Sequence, residues 1–175
     1  LVLTPGGGLA GAGTHHRIHW LRQAAGVLAS LHAEGVIHGD VKPANIMLSS
    51  VDEDAAAVRV ADFGCALIRS PDAGTLTTHR GERGSMVYMD PVLFDGGSVT
   101  AASDAYSWAI TAWQLLTGAV PFAAELAAAG VTSSALALDA LRRYVSGGAG
   151  QRPSVTALTD RGVPGAVTDV IQACW

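Results

Sequence analysis

The segment from His38 to Leu48 reads HGDVKPANIML and carries an acid, a base and an amide at fixed offsets: Asp40, Lys42 and Asn45. A carboxylate at position 40 can accept the proton of an attacking hydroxyl group. An ammonium group two residues later can neutralise negative charge, and an amide oxygen is a hard ligand for Mg²⁺. Phosphoryl transfer requires such groups, because it depends more on positioning and charge compensation than on covalent chemistry.

A second acidic loop lies further along the chain, in the stretch VADFG at 60–64. Asp62 stands at the end of a short apolar run and is followed two residues later by the flexible Gly64. A carboxylate in this position is suited to hold a Mg²⁺ ion that bridges nucleotide phosphates. The chain has 11 lysine and arginine residues, of which Lys42 is the one lysine. A mechanism that needs a second lysine cannot be completed by this chain.

Apolar periodicity predicts the elements that position the two loops. The predicted helices cover residues 18–32, 104–117 and 163–175, with a less distinct helical register between 123 and 150. The predicted short strands cover residues 36–37, 46–48 and 58–60. The second and third strands lie between the two loops, which favours a β-hairpin that bears both. The middle helix is apolar on nearly every face, so we expect it to be buried all round. The segment 64–100 has little periodicity, and we expect it to be a functional loop.

Composition and charge exclude several classes of function. The 175-residue chain has a formal net charge of −4 and scattered arginines, so it lacks the basic surface that binds nucleic acid or an anionic membrane. The apolar tract 108–130 is interrupted by glutamine, proline and glutamate, which argues against membrane insertion by this segment. Cys65 and Cys174 lie far apart in a chain without a signal-peptide pattern. This favours a reducing compartment, and we expect an intracellular, cytoplasmic-side location.

The two loops resemble the catalytic loop and the DFG segment of the eukaryotic protein kinases. The resemblance implies that Asp40 is the catalytic base and that Lys42 contacts the transferring phosphate. It implies that Asn45 and Asp62 are the Mg²⁺ ligands. The lysine-proline pair that begins at Lys42 resembles the serine/threonine class. The remaining roles that the resemblance implies are the apolar spine for His38 and Phe63, and the nucleotide site for Met47 and Gly64.

Two later segments extend the resemblance. The stretch GSMVYMDP resembles the substrate-docking segment of the family, with Ser85, Tyr88 and Pro91 as its docking residues. The hydroxyl group of Ser85 would reach the catalytic loop. The stretch SDAYSW resembles the start of the central helix of the family, in which Asp104 would hold the backbone of the catalytic loop.

The resemblance also implies the fold and the domain organisation. We expect a mainly α structure, the large C-terminal lobe of the α+β protein-kinase fold, with helices around a buried central helix. Features that resemble the tyrosine-kinase-like group are Arg152-Pro153, Pro164 and Cys174-Trp175. The expected organisation is a partial kinase domain over 1–175 without the N-terminal lobe and the last helix, a linker or hinge-side loop over 1–14, and an activation segment over 62–92.

The activity that the resemblance implies is ATP-dependent phosphorylation of serine and threonine hydroxyls in protein substrates, with ATP and Mg²⁺ as cofactors. Because the chain has no second lysine to bind ATP, we expect it to have weak ATP affinity and no robust activity on its own. An alternative is a pseudokinase or truncated product that serves as an interaction module. The oligomeric state cannot be read from the sequence.

Two residues depart from the family pattern. Gly39 replaces an arginine that in many kinases pairs with a phosphorylated activation loop. We therefore expect phosphorylation of Thr75, Thr77 or Thr78 not to switch the enzyme on. Gly39 also favours a second alternative, the small-molecule kinases of the aminoglycoside and choline type. Val92 stands where the family has a glutamate, which weakens the expectation of activity but not that of the fold.

Overall fold

The computed structural model of the protein describes residues 2, 11–68, 86–130, 134–146 and 151–175. The predicted docking residue Ser85 lies outside the described residues, and so do Thr75, Thr77 and Thr78. Most of the predicted linker 1–14 is outside them as well.

Helices dominate the described part of the chain, as predicted. The helices are α1 (Thr14–Ala33), α2 (Pro91–Phe94), α3 (Ala101–Thr117), α4 (Ala123–Ala128), α5 (Ser134–Ser146), α6 (Thr156–Thr159) and α7 (Gly165–Ala173). The strands are β1 (Val36–Ile37), β2 (Ile46–Leu48), β3 (Val58–Val60) and β4 (Leu67–Ile68). The prediction of a mainly α fold with a short β-hairpin is therefore confirmed.

The four strands found in the described residues form two antiparallel pairs. Strand β2 pairs with β3, with Ile46 opposite Val60, and this is the predicted hairpin. Strand β1 pairs with β4, with Val36 opposite Ile68. The sequence did not predict β4, because a two-residue strand inside a long segment of low periodicity shows no alternating pattern. The pairing of β4 with β1 brings the loop that carries Asp40 and the loop that carries Asp62 side by side.

Helix α3 is the central helix of the fold. Every residue from Trp108 to Thr117 is buried, as its apolar faces predicted. The helix begins at Ala101 rather than at the predicted residue 104, because a capping box lies at its N-terminus. The backbone N–H of Ser103 donates to the side-chain oxygen of Thr100 at 3.4 Å, and the N–H of Thr100 donates to the hydroxyl of Ser103 at 3.2 Å.

Helix α1 packs along α3 and begins four residues before the predicted start at residue 18. Its first residues are polar, so apolar periodicity does not reveal them. The guanidinium of Arg17 donates to the carbonyl of Leu115 at 2.7 Å, and the indole N–H of Trp108 donates to the carbonyl of Leu21 at 3.1 Å. These bonds fix the position of α1 against the central helix. In the described part of the chain, none of the helices has the length and apolar character of a membrane span.

Candidate active site

The two predicted loops lie at the same end of the β2–β3 hairpin. The first loop, residues 38–45, connects β1 to β2 and ends in a 3₁₀ turn from Pro43 to Asn45. The second loop, residues 61–66, follows β3 and leads into β4. The backbone N–H of Ala61 donates to the carbonyl of Asn45 at 2.9 Å, which extends the hairpin by one bond. The amide group of the first loop and the carboxylate of the second are thereby brought to one edge.

The structure brings Asp40, Lys42 and Asn45 into direct contact. The ammonium nitrogen of Lys42 lies 2.6 Å from a carboxylate oxygen of Asp40, and the two side chains are 16% and 12% exposed. The side-chain amide of Asn45 donates to the backbone carbonyl of Asp40 at 2.8 Å and to its carboxylate at 3.1 Å. The carboxylate of Asp40 is thus held in one place and remains partly exposed.

A buried carboxylate, Asp104, positions the backbone of the first loop. Its two oxygens accept hydrogen bonds at 2.8 Å from the backbone N–H groups of His38 and Gly39. A third bond of 2.8 Å comes from Nε2 of His32, at the end of α1. Asp104 is 1% exposed, and a buried carboxylate of this kind is stabilised only when hydrogen-bond donors surround it. The N-terminal turn of α3 therefore holds the first loop through its backbone.

His38 connects the first loop to the second. It is fully buried, and its Nε2 lies 3.0 Å from the carbonyl of Ala61, while the backbone N–H of Asp40 donates to its Nδ1 at 3.2 Å. A carbonyl only accepts and a backbone N–H only donates, so this network requires the neutral ring with its proton on Nε2. The ring of His38 also packs against that of Phe63, with centroids 5.1 Å apart. The predicted apolar pair is therefore in contact.

The second loop presents Asp62 to solvent. Its backbone is left-handed, with φ of 63°, and its carboxylate accepts a hydrogen bond from the N–H of Gly64 at 3.2 Å. The left-handed conformation is uncommon for a residue other than glycine and is frequent at functional sites. Phe63 and Met47 are 46% and 36% exposed. Met47 forms an isolated antiparallel bridge with Val2.

The donor atoms at this edge fit a hard cation. The amide nitrogen of Asn45 is used by Asp40, so its oxygen remains as a ligand, and Asp62 offers an exposed carboxylate. Among the described residues, no group of three or more histidine, cysteine, aspartate or glutamate side chains could hold a metal by itself. Mg²⁺ suits such a site, because it commonly takes one or two protein ligands and completes its shell with water and phosphate oxygens.

The predicted docking segment packs against α3. Tyr88 donates its hydroxyl hydrogen to the side-chain oxygen of Gln114 at 2.5 Å, and its carbonyl accepts from the hydroxyl of Ser107 at 2.7 Å. Burial raises the pKa of Tyr88. Pro91 is the first residue of α2, where its fixed φ suits the start of a helix. The aliphatic side chain of Val92 is 51% exposed.

Sequence reasoning missed two residues of the site, His32 and Gln114. His32 and Gln114 supply hydrogen bonds to Asp104 and Tyr88, and Gln114 could have been found as the polar residue in an otherwise apolar helix. Cys65 lies in the cleft beside Asp40. Burial raises the pKa of the Cys65 thiol, and the neighbouring carboxylates of Asp40 and Asp62 raise it further. The thiol therefore stays protonated near neutral pH, which argues against a nucleophilic role.

Comparison with known proteins gives matches over most of the chain. The model of the family described as Protein kinase domain matches residues 12–156. The serine/threonine-protein kinase mos of Patiria pectinifera is 37% identical over 114 residues, which cover 64% of this chain and 30% of that protein. Mitogen-activated protein kinase kinase kinase 7 of Drosophila melanogaster is 37% identical over 110 residues, which cover 61% of this chain and 15% of that protein.

A longer match is found to the serine/threonine-protein kinase mos of Xenopus laevis, which is 30% identical over 165 residues, covering 90% of this chain and 41% of that protein. The chain spans less than half the length of each of these three relatives. The family match covers both loops, the docking segment and α3. This chain belongs to the protein kinase domain family.

Proposed function

We propose that the full-length protein transfers the γ-phosphoryl group of ATP to serine and threonine hydroxyls of protein substrates. The observation that carries the proposal is the contact set of Asp40, Lys42 and Asn45, which lies at the same edge of the hairpin as Asp62. A carboxylate, a cation and hard oxygen ligands are combined there. A structural role alone does not require this combination.

Each side chain has a separate task in the proposed reaction. Asp40 orients the substrate hydroxyl and accepts its proton, because its carboxylate is fixed by Asn45 and remains partly exposed. Lys42 compensates negative charge on the phosphoryl group as it moves toward the hydroxyl. Asn45 and Asp62 would hold Mg²⁺, and the ion would supply positive charge to the phosphates of ATP.

The serine/threonine class of substrate is supported by two observations. The lysine-proline pair after Asp40 resembles that class, and the three relatives described above include two proteins named as serine/threonine kinases. The surface over which a protein substrate would lie includes Tyr88 and Pro91. These residues are held in place by α3 and α2.

The test is a phosphoryl-transfer assay with the full-length protein, labelled ATP, Mg²⁺ and a generic protein substrate such as myelin basic protein or casein. We expect Asp40→Asn to lower kcat by at least about 100-fold, since a positioned general base contributes roughly 10²–10⁴-fold. The matched control is Asp169→Asn, an exposed carboxylate on α7. It should leave kcat unchanged.

The outcome also distinguishes an enzyme from a pseudokinase. Activity that depends on Asp40 and not on Asp169 supports a kinase. Failure of the unsubstituted full-length protein to phosphorylate any substrate, itself included, would contradict the proposal and favour an interaction module. Phosphorylation of tyrosine alone, detected by phosphoamino-acid analysis, would contradict the proposed substrate class.

A further inference from the structure

The two loops of the candidate active site approach each other closely at Gly39. A Cβ atom built on Gly39 would lie 2.7 Å from the backbone oxygen of Cys65, 3.5 Å from its carbonyl carbon and 3.6 Å from its Cβ. Ordinary van der Waals contact begins near 3.4 Å, so the first distance is about 0.7 Å too short. Any residue other than glycine at position 39 therefore displaces one of the loops.

Strand pairing explains why Gly39 and Cys65 meet. In the β1–β4 ladder Val36 lies opposite Ile68 and Ile37 lies opposite Leu67. Continued for two more residues, the same register places Gly39 opposite Cys65. The paired residues end at Ile37 and Leu67. Gly39 itself takes a left-handed conformation with φ of 77°, which residues with a side chain rarely adopt. The chain then turns toward the catalytic carboxylate of the next residue.

Hydrogen bonds hold both loops next to this contact, so neither loop can move away without breaking one of them. The N–H of Gly39 donates to the buried carboxylate of Asp104 at 2.8 Å. The second loop is held at one end by the bond from Ala61 to Asn45 and at the other by the β1–β4 ladder. An added Cβ must break one of these connections or move the segment between Ala61 and Cys65, which carries Asp62.

We infer that Gly39 is a positioning residue, whose missing side chain lets the catalytic loop lie against the carbonyl of Cys65 and so fixes Asp40 relative to Asp62. The expected effect on catalysis rests on the proposed function, whereas the expected effect on the positions of the two loops does not. In many kinases an arginine at this position pairs with a phosphate group on the activation loop. Gly39 cannot form that pair, but it lets the backbones of the two loops lie close together.

The test compares Gly39→Ala with Gly96→Ala in this chain by amide hydrogen exchange. Gly96 has a similar φ of 82°, and a Cβ built there meets nothing within 4 Å. The two variants therefore share the backbone penalty and differ in the contact. We expect Gly39→Ala to accelerate exchange at Ala61 and Ala66 by at least tenfold relative to the buried amides of α3, and Gly96→Ala to change it by less than twofold. Equal effects of the two variants, or no effect of Gly39→Ala, would overturn the inference.

A second measurement needs no variant and stays informative if Gly39→Ala does not fold. In the unsubstituted chain the amides of Gly39 and Ala66 should open together, with the same dependence of exchange on denaturant concentration. Independent opening of these two amides would overturn the inference.

The catalytic consequence is measured in the full-length protein. Gly39→Ala should lower kcat by roughly 10–100-fold with little change in KM for ATP, because a displacement of about 1 Å near reacting groups can cost 10²-fold. Absence of phosphoryl-transfer activity in the unsubstituted protein would count against the proposed function. Unchanged exchange at Ala61 and Ala66 counts against Gly39 as the positioning residue.

Discussion

The carboxylate of Asp104 offers the most direct test of how the proposed catalytic loop, residues 38–45, is held. Substitution of Asp104 by alanine removes the acceptor for the N–H groups of His38 and Gly39 and for the ring of His32. Each buried donor left without a partner costs about 1–3 kcal/mol, so the two backbone donors together predict a loss of about 4 kcal/mol. This is a large share of the roughly 5–15 kcal/mol by which a domain is stable.

The assay is equilibrium unfolding in urea, followed by fluorescence of the four tryptophans and supported by thermal unfolding. In a domain of 150–250 residues each kcal/mol shifts Tm by about 2–4 °C, so Asp104→Ala should lower Tm by about 8–16 °C. Asp160→Ala, which removes an exposed carboxylate between α6 and α7, is the control and should change stability by at most about 0.5 kcal/mol.

The isosteric variant Asp104→Asn separates lost hydrogen bonds from lost volume. Its side chain has nearly the same size, but it keeps one acceptor oxygen and places an NH₂ group among donors. We expect at least about half of the destabilisation caused by alanine, since one backbone N–H loses its acceptor. If Asp104→Ala were destabilised by less than 1 kcal/mol, or if Asp104→Asn were as stable as the unsubstituted chain, the account of Asp104 given above would be wrong.

Two further predictions concern buried side chains of the hydrophobic core. Burial raises the pKa of Tyr106 to about 12, although the cationic Arg152 opposes the rise. The buried neutral phenol therefore contributes stability that is fully present below pH 10 and is lost as the pH rises toward 12. Tyr106→Phe should therefore reduce the loss of stability between pH 9.5 and 11.5 in urea titrations by about 1–2 kcal/mol; an unchanged pH profile would contradict the assignment. Leu158 is fully buried in the main core, so Leu158→Ala should lower the free energy of unfolding by about 2–5 kcal/mol in the same assay. Val170→Ala, on the exposed side of α7, should lower it by less than about 1 kcal/mol, and equal losses for the two variants would contradict the burial argument.

Much of the fold could be predicted from the sequence because its local patterns agree with its tertiary structure. The segment 104–117 is apolar on nearly every face, and all of its residues except Ala105 and Ser107 are buried. The strands β1, β2 and β3 have apolar residues between turn residues, and all three form as predicted. The starts of α1 and α3 lay earlier than predicted, because polar first turns and capping side chains carry no apolar periodicity.

The contacts within the site were partly beyond sequence reasoning. The spacing of Asp40, Lys42 and Asn45 within one loop makes their proximity predictable, since a short loop cannot separate them. The approach of Gly39 to Cys65 depends on the register of β1 and β4, a long-range pairing that no local pattern encodes. Glycine at position 39 was therefore visible in the sequence as a departure from the family, but its steric reason was not.

The central helix explains why stability and site geometry are coupled in this protein. Within α3, Asp104 holds the proposed catalytic loop, and Trp108 contacts α1. Ser107 and Gln114 hold Tyr88 of the predicted docking segment. With 3.6 residues per turn, these side chains fall within about a third of the circumference of one helix that is buried along most of its length. A substitution that shifts or rotates α3 must therefore move both the catalytic loop and the docking segment. By contrast, a substitution in the exposed turn of the β2–β3 hairpin alters neither of these connections.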